Sequence, residues 1–157
     1  MNSYLAIKFV HVLSSTILFG TGLGTAFHMW MTHRTGDVRA IASASRITVL
    51  ADWWFTTPAV IVQPLSGVAL MKLAGFDWSQ SWLVVALGLY LLAGACWLPV
   101  VRLQLRVRQF AAAASATGTP LPPAYFRCMR AWFLLGWPAF LALIGVFWLM
   151  LAKPALW

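Results

Sequence analysis

Residues Tyr4–Met31 read YLAIKFVHVLSSTILFGTGLGTAFHMWM, an apolar run in which Lys8 and His11 stand three positions apart. A helix rises about 1.5 Å per residue, so about 20 mostly apolar residues cross a hydrocarbon core of about 30 Å. This run is long enough, and so are three others, at about Thr48–Leu73, Trp82–Val101 and Ala131–Ala152. The expected fold is all-α, an integral membrane four-helix bundle forming a single transmembrane domain over residues 1–157. The first run is expected to stay in the protein, because it lacks a basic leader and a short apolar segment ending in a small-residue cleavage site.

Composition points the same way. The chain is 62% hydrophobic and 9% charged, with a mean hydropathy of +0.82, and a water-soluble domain needs more charge to cover its surface. Ten tryptophans and ten phenylalanines suit interfacial belts and packing between helices. A net charge of +8 would suggest nucleic acid in a soluble chain. Here the arginines fall between apolar runs, where they orient the protein and meet anionic lipid head groups, so no nucleic-acid partner is expected. Cys96 lies in an apolar run and Cys128 beside arginine, settings that favour neither a disulfide nor a thiolate metal site.

The basic residues set an orientation. Arg34, Arg39 and Arg46 follow the first run, and Arg102, Arg106, Arg108, Arg127 and Arg130 lie between the third and fourth, whereas the other side has only Lys8, Lys72 and Lys153. The positive-inside rule then places both long connections in the cytoplasm and both termini outside, which in a bacterium means the inner membrane. Residues 110–123, rich in Ala, Ser, Thr and Pro, read as a mobile cytoplasmic loop. The short turn Gly75–Ser81 makes the second and third helices antiparallel neighbours.

Polar residues inside such helices are costly, and a functional site is the default reading. Counted inward from the outer ends, His11, Gln63 and Tyr90 share a depth on the order of 10–15 Å. They are expected to line one outer-leaflet pocket, with Lys8 and Ser15 extending the stripe along the first helix. The same residues would serve equally as hydrogen-bonding glue between helices. Gly20-xxx-Gly24 has the spacing of close helix packing or of a flat ligand surface. Pro58, Pro64, Pro99 and Pro138 fall inside helices, where each removes a backbone hydrogen bond. Nearer the cytoplasm, Asp52 is expected to pair with an arginine or with His28. His28-Met29-Trp30-Met31 with His33 offers imidazole and thioether groups that suit copper, although consecutive helical positions diverge around the axis.

Several of these residues carry a resemblance. Lys8-x-x-His11, Thr56-Thr57-Pro58-Ala59 with Gly67, Ser81-Trp82-Leu83 opening the third helix and the final Lys153-Pro154 resemble the HemJ-type protoporphyrinogen oxidase family. The wider group is similar to CopD-type copper-resistance membrane domains, and this chain looks like an uncharacterised branch of it. The resemblance implies a four-helix core, haem b as cofactor and His11 as its iron ligand. It also implies a limit: a lysine and a histidine that the family's oxidases carry in the third helix are replaced by Ala86 and Trp97. The expected function is therefore haem b binding with a redox role distinct from protoporphyrinogen oxidation, in a homo-oligomer or with a membrane redox partner. A copper-handling module and a non-catalytic structural or assembly subunit are the alternatives.

Overall fold

A computed structural model describes residues 2–157 and shows an all-helical chain. Four helices are long and apolar enough to cross a membrane: α1 (Ser3–Thr35), α2 (Val38–Ala74), α3 (Ser81–Thr117) and α4 (Pro123–Ala152). They run up and down in sequence. The C-terminal end of α1, the N-terminal end of α2, the C-terminal end of α3 and the N-terminal end of α4 share one end of the bundle. All eight arginines lie there, and all eight are exposed.

The connections follow from local chemistry. Gly36 adopts a left-handed conformation (φ 70°) that ends α1, and Asp37 caps α2 by accepting from the backbone N–H groups of Arg39 and Ala40. Gly75 ends α2 in the same way, and Asp77 then accepts from the N–H of Ser79 at 2.9 Å to tighten the turn into α3. Gly118 terminates α3, and Pro123 occupies the first turn of α4.

α2 is not uniform. Residues Asp52–Thr56 form a π-turn, in which the Thr57 N–H reaches back five residues to the Asp52 carbonyl. Pro58 supplies the reason: it has no N–H for the Trp54 carbonyl, and its ring would crowd that carbonyl in a regular α-turn, so the backbone widens just before it.

The arginine end holds the larger core. Met29, Ile41, Ala44, Val107, Ala111, Tyr125, Met129 and Trp132 draw on all four helices, with Ile41, Ala111 and Tyr125 fully buried. This corrects the loop expected over residues 110–123. Helix α3 continues to Thr117, and only residues 118–122 are non-helical there, because Gln104, Val107, Ala111 and Ala114 repeat at helical spacing and bury one face. At the opposite end a smaller cluster joins Met71, Trp82, Leu83, Ala86 and Leu149. The Lys153 ammonium sits 4.5 Å from the Phe76 ring centroid beside it.

Candidate functional site

His11 of α1 is half-buried against the half of α2 away from the arginine end. Its Nδ1 lies 2.8 Å from Ser66 Oγ, and its Nε2 lies 3.2 Å from Gln63 Nε2. Ser66 Oγ also donates to the Val62 carbonyl at 2.7 Å, which leaves only lone pairs for the imidazole. Nδ1 therefore carries the proton and donates, and Nε2 presents its lone pair to the Gln63 amide N–H. The Gln63 carbonyl oxygen accepts from Ser14 Oγ, so every member of the cluster has a partner. Gly67 makes the approach possible: a Cβ there would stand 3.4 Å from His11 Cε1.

Beside the cluster a cleft of about 220 Å³ opens between the helices. Val10, Leu13 and Ile17 wall it from α1, Trp54, Phe55 and Pro58 from α2, and Ser14 borders both cleft and cluster. Small-molecule pockets usually span about 300–1,000 Å³, so a ligand seated here would also meet lipid. The π-turn shapes this wall. It leaves Trp53, Trp54 and Phe55 at 62%, 75% and 53% exposure, facing outward.

A family model described as a predicted integral membrane protein (DUF2269) matches residues 5–154. The chain belongs to the DUF2269 family. No curated protein and no solved structure matches it.

Of the polar residues singled out in the sequence of this DUF2269 protein, the structure joins His11 and Gln63. The others go elsewhere. Lys8 is exposed, with its ammonium 5.8 Å from the Tyr4 ring. Ser15 donates to the Val12 carbonyl of its own helix rather than to a member of the His11 cluster. Tyr90 donates to the Val60 carbonyl at 2.7 Å, holding α3 to α2 rather than lining the His11 cluster. Ser14 and Ser66 were not anticipated, yet His11-x-x-Ser14 and Gln63-x-x-Ser66 repeat one spacing on two facing helices, a signal present in the sequence.

The cytoplasmic-side expectations change too. Asp52 accepts from Gln104 Nε2 at 2.6 Å and from Thr56 Oγ1 at 2.9 Å rather than from a basic side chain, and His28 is exposed. The candidate copper residues diverge: Met29 is buried, Met31 is exposed, and His33 Nδ1 bonds the Tyr125 hydroxyl at 2.9 Å. Among the described residues no three His, Cys, Asp or Glu side chains converge on a metal-sized space. A Cβ added at Gly20 or Gly24 would meet nothing within 4 Å, whereas one at Gly22 would stand 3.4 Å from Phe140.

Proposed function

We propose that this DUF2269 protein binds haem b through His11 and serves a redox role in a bacterial inner membrane, as a relative of the oxidase and CopD-type groups that its sequence resembles. The observation that carries this reading is the His11–Ser66 hydrogen bond. A histidine that ligates iron through Nε2 ordinarily donates its other N–H to a fixed acceptor, which sets the tautomer and the ring orientation. Ser66, itself tied to the Val62 carbonyl, is such an acceptor.

Iron would take the His11 Nε2 lone pair that the Gln63 amide engages at 3.2 Å, so haem binding requires Gln63 to turn aside; Ser14 borders the same face, and Lys8 one turn outward is a cation suited to carboxylates. When bound, haem supplies one-electron redox chemistry. His28 lies 17 residues beyond His11, about 25 Å along α1, so one iron cannot take both. The iron would then be held by His11 alone, with a non-histidine group, or with a residue of another copy of the chain or a membrane redox partner. Anionic head groups would meet the arginine end.

Purified wild type and His11→Ala from haem-replete cells give the test. Wild type should show a Soret band, His11→Ala should lose it, and Ser66→Ala should weaken haem affinity by about 10-fold or more, the usual cost of removing such an orienting partner. A wild-type protein without the band overturns the reading and leaves a copper-handling module or a structural or assembly subunit, which bound copper tells apart; a His11→Ala protein that keeps the band overturns His11 as the ligand.

A further inference from the structure

The chain contains three aspartates and no glutamate. Asp37 caps α2 and Asp77 serves the α2–α3 turn, so Asp52 is the one carboxyl inside the bundle. It lies six residues inside Arg46, about 9 Å along the helix, and is 8% exposed. A carboxylate at that depth ordinarily has a cationic partner. This one is held by neutral groups.

The arrangement suits both protonation states. On its own helix Thr56 donates to Oδ1, and from α3 Gln104 donates to Oδ2. Behind Gln104, the Trp132 indole N–H of α4 donates to Gln104 Oε1 at 3.4 Å, which aims the amide N–H group at Asp52 whatever its charge. A hydroxyl is reversible: Thr56 donates to a carboxylate and accepts from the O–H of an acid. Met29 of α1 packs beside this group, while His28 of α1, Arg46 of α2, Arg102 and Arg106 of α3 and Arg130 of α4 are all exposed.

A row of hydroxyls runs from Asp52 toward the arginine end. Ser45, Thr48, Asp52 and Thr56 recur at spacings of three or four on the buried face of α2. Ser45 and Thr48 each donate to a backbone carbonyl at 3.0 Å, which leaves their lone pairs free to accept. Between them and Gln104 lies a cavity of about 10 Å³, which Met29, Val107, Met129 and Trp132 also line.

We propose that Asp52 is a proton-exchange site, taking up a proton from the aqueous phase at the arginine end and returning it there along the Thr48–Ser45 face. On uptake a carboxylate oxygen forms an O–H bond and the charge is lost; release reverses both. The proposal is independent of haem.

Infrared spectroscopy of the intact protein reads this directly. Because the chain has no glutamate, aspartate labelled with carbon-13 at its side-chain carboxyl reports on three groups only, two of them in exposed turns. We expect a protonated-carboxyl C=O band that shifts down with the label, shifts again in deuterium oxide while the fold is native, and converts to carboxylate as pH rises. Asp52→Asn should lose the band. Thr56→Val should keep it at higher frequency, because the group loses a hydrogen bond. The proposal fails if no such band beyond that of the exposed aspartates appears at any pH at which the protein is folded, if the band ignores deuterium oxide, or if it never converts.

Discussion

At Pro64 the second helix loses a backbone donor, and the carbonyl four residues earlier, that of Val60, loses its intrahelical partner. In lipid no water can replace that bond. The Tyr90 hydroxyl from α3 does so at 2.7 Å, so one side chain both repairs the helix and joins two helices. Interhelical hydrogen bonds in membranes average about 0.6 kcal/mol and reach about 1.7. Tyr90→Phe should therefore lower stability within that range, measured by unfolding in detergent. In a Pro64→Ala background the same change should cost close to nothing, since the alanine returns an N–H to the Val60 carbonyl; equal costs in both backgrounds would sink the account. The sequence showed Tyr90 as a polar group at the depth of His11 and showed Pro64 as a lost bond. That the one answers the other depends on how α3 faces α2, which neither residue reveals alone.

Elements were legible where the hydrophobic run was long and obscure where small residues did the packing. The run at Ala111–Thr117 reads as loop by its Ala, Ser and Thr content, yet alanine is the best helix former and its small methyl side chain lets α3 approach α2 closely. Ala111 is 0% exposed and belongs to one cluster with Ala44. Ala111→Leu should overpack that contact and cost about 1–3 kcal/mol, whereas a loop would tolerate it; thermal unfolding decides. The π-turn was hidden for another reason: Pro58 announces a break without saying whether the helix kinks, ends or widens. The α2–α3 turn was legible as a turn, and its Asp77 adds a pH dependence. The Ser79 N–H and hydroxyl hold this exposed carboxyl below its ordinary range. Its contribution is therefore complete above the unfolded value of about 3.9 and fades as pH falls through the lower folded value. Asp77→Ala should lower the melting temperature at neutral pH and leave it unchanged in strong acid.

At the scale of the whole molecule, helix length and charge explain why the two ends pack differently. Helices of 30 to 37 residues extend about 45–55 Å, well beyond a hydrocarbon core of about 30 Å, so part of each must leave it. Apolar side chains gain nothing by leaving lipid for one another, but they gain by leaving water. The fully buried residues Ile41, Ala111 and Tyr125 lie at the end where the arginines are, as expected if the surplus helix emerges there. Exposed arginines are readily accommodated among head groups and water and are costly in the hydrocarbon, which fixes that end at an interface. Eight arginines at this end against three lysines at the other argue that it is the cytoplasmic one. A reporter fused after Trp157 should then be active only when its activity requires the extracytoplasmic side, and protease added to inverted vesicles should cut at residues 118–122 while sealed right-side-out vesicles protect them. The reverse pattern would turn the bundle over, placing the Asp52 route on the outside and the His11 cluster toward the cytoplasm, and would do so without disturbing a single contact within the fold.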